Sequence, residues 1–133
     1  MKNCFQNEFI KFWIENGILH SEFKKETYMN LKNLKELIRL RHEASDNQKQ
    51  YWCYDFKLLK NYTKDSRDYA EKHGQELLHG TAVIITSHLS RFILNTFMKL
   101  KKADIPLKAF KTKDDAVNWL LQLKKSNQLN GIY

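Results

Sequence analysis

Proline occurs once in the 133 residues and glycine four times, which leaves no Pro- or Gly-rich stretch to separate two folded units. One domain over residues 1–133 is expected. Cysteine occurs twice, as Cys4 in a polar stretch and as Cys53 among aromatics. Two thiols in such different settings do not make a disulfide framework. Apolar runs are short, and nothing approaches the ~18 consecutive apolar residues of a membrane span. Met1–Glu8 lacks the apolar centre of a signal peptide, so a cytoplasmic setting is expected. The five histidines, His20, His42, His73, His79 and His88, show no HxH, HExxH or Cys/His spacing. A first-row metal needs several convergent ligands. G-x-S-x-G, the P-loop and G-x-G-x-x-G are missing too, so acyl transfer, nucleotide hydrolysis and dinucleotide binding lack their geometric parts. No metal, no cofactor and no enzymatic activity are expected.

The chain is 42% hydrophobic and 29% charged, the balance of an ordinary globular protein. Its net charge of +8 is unevenly placed: residues 1–87 carry 14 Lys/Arg against 12 Asp/Glu, and residues 88–133 carry nine against three. A basic final third attracts acidic protein surfaces, nucleic acid or an anionic membrane. The plainer reading is that lysines solvate the outer faces of amphipathic helices.

Gly80 to Leu123 decides the fold class. Ala82-Val83-Ile84-Ile85 is a β-branched apolar run, suited to a strand buried on both faces. Ser87 then offers an N-cap to a helix through Leu100, and Ile105-Pro106 breaks the pattern. Leu107–Phe110 forms a further strand, and Thr112 opens a last amphipathic helix. Upstream, Asn16-Gly17 between Phe9–Glu15 and Ile18–Phe23 predicts a two-residue hairpin, because Asn-Gly accepts the positive φ angles of a type I′ turn. Asn30 caps a helix over Leu31–Ala44. Tyr51–Phe56 follows as a strand with Trp52, Tyr54 and Phe56 on one face. Thr63 caps another helix that Gly74 ends. Strands alternating with helices predict an α/β fold: a mixed sheet of about five strands, opening with the hairpin, and about four helices.

Single residues carry little chemistry. Asp55 at a strand end is placed to be a catalytic carboxylate in some α/β enzymes, but alone it is expected to hydrogen-bond the next loop. Cys53, mid-strand and without a basic neighbour, reads as a small hydrophobe. The third helix carries an apolar excess. Leu89, Phe92, Ile93, Phe97 and Leu100 suffice to cover the sheet, and Leu94 and Met98 then form a second stripe beside Arg91. That stripe is either deep core or an interface with a second copy, another protein or an apolar ligand.

The segments FWIENGILHSEF, YDFKLLKNYTKDSRDYA and TSHLSRFILNTFMKLKKADIPLKAFKTKDDAVNWLLQL resemble the STAS family, named for sulfate transporters and anti-sigma-factor antagonists of the SpoIIAA type. The likeness is strongest to small stand-alone bacterial STAS/SEC14-type proteins. It rests most on LSR, on the Pro before a Lys-x-Phe strand and on the A-x-x-W-L helix. The resemblance implies a non-enzymatic module that acts by binding. In the antagonists, a serine at the start of the second helix, within Asp-Ser-Ser-Gly, is phosphorylated and controls partner binding. The matching stretch here is Thr63-Lys64-Asp65-Ser66-Arg67, which keeps one Asp-Ser pair and replaces Ser-Gly with Arg67-Asp68. Ser66, with Thr63, is the regulatory phosphosite this implies. The competing reading is an ordinary helix start with Thr63 as cap.

The expected function is a STAS-like regulatory binding module, its partner another protein or itself as a homodimer through Leu94, Met98 and Arg91. Two alternatives stay open: a small-molecule or lipid carrier, and a nucleic-acid or anionic-surface binder through the basic final third.

Overall fold

Asn16 and Gly17 take left-handed backbone angles, φ 54° and 76°, and so close the tight hairpin that their sequence predicts. The strands they join, β2 (Ile10–Glu15) and β3 (Ile18–Phe23), pair antiparallel with Glu15 opposite Ile18 at the turn. The computed structural model describes residues 4–100 and 105–133, and the side chains of all of these except 97–100.

A short strand β1 (Cys4–Gln6) pairs antiparallel with β2 and forms one edge of the sheet. Three residues without alternation give little sequence signal, so this strand adds to the number expected. Beyond β3 the sheet continues in parallel through β5 (Gln50–Asp55), β7 (Leu78–Ile84) and β8 (Leu107–Phe110). The order is β1-β2-β3-β5-β7-β8, a mixed six-stranded sheet. Two further segments, β4 (Thr27–Met29) and β6 (Leu59–Tyr62), pair with each other in a separate parallel ribbon. Each lies in the connection just before a helix.

The helices are α1 (Leu31–Ala44), α2 (Lys64–His73), α3 (His88–Leu100) and α4 (Lys113–Leu129). Asn30, Thr63 and Thr112 cap α1, α2 and α4, each accepting a backbone N–H three residues on. The crossovers from β3 to β5, β7 and β8 all advance in one direction. A fixed crossover hand therefore places α1, α2 and α3 on the same side of the sheet. There Leu34, Leu37, Ile38, Ile93 and Leu94 pack with Phe12, Leu19, Trp52, Tyr54 and Val83 in the larger core. Helix α4 follows the edge strand and folds back on the opposite side. Ala116 and Leu120 pack there against Ile18, Tyr51, Cys53, Ala82 and Ile84, with Trp119 half-buried against Phe110.

The face that α3 turns inward differs from the expected one. Ser90, Ile93 and Leu94 are buried, whereas Leu89 and Phe92 are 41% and 66% exposed. The turn after β7 explains the roll. Ser90 Oγ accepts from the backbone N–H of Thr86 and Ser87, and Ser87 Oγ accepts from the Ser90 N–H at 3.0 Å. This reciprocal cap needs the Ser90 hydroxyl inside the turn. The helix is thereby rotated so that positions 90, 93 and 94 face the sheet.

Candidate functional site

The carboxyl ends of parallel strands are where an open α/β sheet collects its loops. Here the segments following β5, β7 and β8 meet: the Phe56 N–H bonds Ile84 O, and the Ile85 N–H bonds Phe110 O. From this edge the chain rises through Thr86 and Ser87 into α3, and these two with His88, Leu89, Arg91, Phe92 and Asn95 are all exposed. Leu89 and Phe92 stand one turn apart, forming an apolar spot bordered by His88 and Arg91. The inward side of the helix is already filled by Ser90, Ile93 and Leu94, so this spot has no role in covering the sheet.

On the other side of the same edge lies a charged group of residues. Trp13 is nearly buried and stacks on His20 at 5.3 Å. The ammonium groups of Lys11 and Lys113 lie 5.5 and 5.3 Å from its ring centroid, within cation–π range. Asp55 Oδ1 accepts from the Lys57 N–H at 2.8 Å, the loop bond expected of it. Burial holds the Asp55 carboxyl above the usual carboxylate range, against the Lys57 hydrogen bond. Burial likewise pushes the Cys53 thiol up to about 12, so it stays protonated and unreactive at neutral pH. These groups tie α4 to the sheet. They do not form a nucleophile with a paired base.

The residues expected to act are scattered. Ser66 is fully buried, its hydroxyl 2.9 Å from Met29 O and 2.8 Å from Thr63 O. It links β4 to the start of α2, so its expected role as an accessible phosphosite is corrected to a structural one. Thr63 is half-buried and acts as the helix cap, its hydroxyl also donating to the Asp65 carboxylate. Leu94 is 2% exposed within the domain's own core, which removes it from the expected interface. The Met98 side chain, like those of Phe97, Lys99 and Leu100, lies outside the described residues. Arg91 is exposed, as a surface contact requires. Helical periodicity alone assigns Leu89 and Phe92 to the core. The signal that places them outside was Ser90, a small hydroxyl three residues after Ser87.

A family model for a domain of unknown function, DUF7793, matches residues 12–124. The chain belongs to the DUF7793 family. The match runs from β2 into α4 and so takes in both sides of the sheet. No curated protein matches the chain. Among solved structures, the DUF7793 chain is similar to an uncharacterised DUF3478-family protein from Shewanella loihica PV-4, described as having a SpoIIAA-like fold. The TM-score is 0.60 at 17% identity, covering 86% of this chain and 96% of that one. At this identity the likeness is one of fold. The DUF7793 chain has a SpoIIAA-like α/β fold, as its resemblance to the STAS family implied. Among the described residues no helix is long and apolar enough to cross a membrane.

Proposed function

We propose that this chain is a non-enzymatic binding module that docks a protein partner on the exposed face of α3. The reading is carried by Phe92, 66% exposed, one turn from Leu89 at 41%, on a helix whose core side is filled without them. Interface cores favour large aromatic and arginine anchors, and Phe92 beside Arg91 supplies both. The partner's surface is acidic around an apolar recess. Arg91 belongs to a final third with nine basic residues against three acidic ones, and complementary charge steers such encounters. A carrier of apolar ligands is less well supported. The cavity bordered by Tyr51 and His79 holds about 140 Å³ and is lined by two lysines, two glutamines and His79 beside Ile132 and two tyrosines, too small beside the roughly 300–1,000 Å³ of sites for drug-sized ligands.

Affinity capture from the native cell, with wild type and Leu89→Glu/Phe92→Glu baits after nuclease treatment, tests the reading. A protein recovered with wild type and lost with the variant, at unchanged circular dichroism, supports it. Equal recovery overturns it. Loss of all recovery on nuclease treatment would point to nucleic acid instead.

A further inference from the structure

The opposite edge of the sheet, at the amino ends of β5 and β7, holds a second feature. A cavity of about 140 Å³ opens there between the hairpin turn, the start of β5, His79 and the C-terminal half of α4. None of the described residues lining it is acidic, while Lys49, Lys124 and His79 all face it. Its positive character is built into the fold. Lys124 is half-buried and its ammonium donates to Gly17 O at 3.4 Å, and a Cβ at position 17 would collide with that ammonium. Gly17 thus serves both the turn and the close approach of a cation.

Directional donors accompany the charge. Tyr51 is buried, and its hydroxyl oxygen accepts from Asn127 Nδ2 at 2.8 Å. Among the described residues no acceptor takes the Tyr51 O–H proton, which leaves it available to a ligand. His79 stacks on the Tyr51 ring at 4.9 Å and bonds the Tyr133 backbone. Gln50 and Gln128 add amide groups at the rim. The volume excludes a nucleotide or a lipid chain and admits a single tetrahedral or planar oxyanion.

We propose that this cavity binds a small oxyanion, a phosphate or a carboxylate group, between Lys49 and Lys124, with Tyr51 as an oriented donor and His79 as a second one when it is protonated. The site lies at the other end of the strands from α3 and is independent of the partner reading. It also carries a pH signature. Burial and the Lys49 charge hold His79 below its ordinary value. The other groups facing the ring are Tyr51, Lys124 and the Tyr133 segment, and no acidic side chain among the described lining residues offsets the lysines. A bound anion reverses that balance and raises the His79 pKa. By linkage, affinity then rises as pH falls through its titration.

The test is NMR titration of the full chain with sodium phosphate and, separately, sodium acetate, against sodium chloride at matched ionic strength. Saturable shifts of Gly17, Tyr51 and His79, with an upward move of the His79 titration, are expected. Which of the two anions saturates first tells a phosphate site from a carboxylate site. Lys49→Gln/Lys124→Gln should weaken binding about tenfold or more, since charge-assisted hydrogen bonds are lost, at unchanged melting temperature. Tyr51→Phe should weaken it less. Shifts that are absent, equal in chloride or retained in the lysine variant overturn the proposal. If the Ile132–Tyr133 segment already satisfies both lysines, phosphate leaves these signals unmoved, and the proposal falls in the same way.

Discussion

Arg41 shows how one residue can tie distant segments together. It is 1% exposed on α1, its guanidinium 4.7 Å from the Trp52 ring centroid. Nη1 donates to Gly74 O at 3.0 Å and Nη2 to Glu76 O at 2.8 Å, while Nε has no hydrogen-bond partner among the described residues. The planar fork reaches two carbonyls of the connector after α2 and stacks on an aromatic face, a combination that lysine cannot reproduce. Burial pulls the Arg41 pKa down to about 10, which leaves it charged at neutral pH. Arg41→Lys should therefore cost about 2–4 kcal/mol by urea unfolding, as expected when a buried polar network is broken. Amide exchange should accelerate at Gly74–Leu77, and an unchanged unfolding midpoint would contradict this account. The neighbouring His42 gives the pH dependence. Burial and the Arg41 charge lower its pKa from 6.5, so the unfolded chain binds a proton more readily than the native one. Stability then rises with pH across this window and is lost as pH falls below about 6.5 towards the depressed native value. His42→Gln should make that part of a melting-temperature profile shallower, leaving the share of the likewise depressed His79 and the lower, carboxylate part in place.

Helix boundaries were legible wherever a polar cap met an apolar run, because the cap hydrogen bond is local. Asn30, Thr63 and Thr112 act as their sequence implied, and Asn16-Gly17 closes the hairpin. Asn16→Pro should lower the melting temperature, since proline fixes φ near −65° where the turn holds 54°. Asn16→Gly should stay near wild type. What could not be read was the roll of α3. Helical periodicity gives the angular spacing of apolar residues and not which stripe meets the sheet. The choice was made by Ser90, whose hydroxyl belongs to the turn after β7. The ribbon β4–β6 was likewise hidden, because its two short strands meet through β-bulged parallel pairing between separate connections. The roll is directly testable. Leu94→Ala should cost about 2–5 kcal/mol, as for a buried leucine, whereas Phe92→Ala should change stability by about 0.5 kcal/mol or less. The reverse order in denaturant unfolding would mean that α3 docks on the face first expected of it.

At the scale of the whole molecule, the two ends of the parallel strands have different chemistry. The carboxyl edge leads into the exposed α3 surface, with its apolar spot and Arg91, and the amino edge holds the cationic cavity. The candidate site was thus only half legible: Arg91 could be named from sequence, while the cavity arises from residues 17, 49–51, 79, 124, 128, 132 and 133, which only the sheet brings together. Charge also bears on whether the partner on α3 is a second copy. An isologous contact sets the same patch against itself, which would bring Arg91 of one copy towards the same basic surface of the other, between chains of net charge +8. Such like-charge juxtaposition costs several kcal/mol, and Leu89 and Phe92 alone offer too small an apolar area to offset it, since a stable interface buries roughly 1,000 Å² or more. The wild type should therefore sediment as a 16.0 kDa monomer at micromolar concentration and low salt, and Leu89→Glu/Phe92→Glu should sediment identically. A wild-type dimer that the double variant abolishes would show that the chain is its own partner. A dimer that persists in the variant would place self-association on another surface, with the sheet edge at β1 as the first to examine, because its unpaired backbone groups can template a further strand.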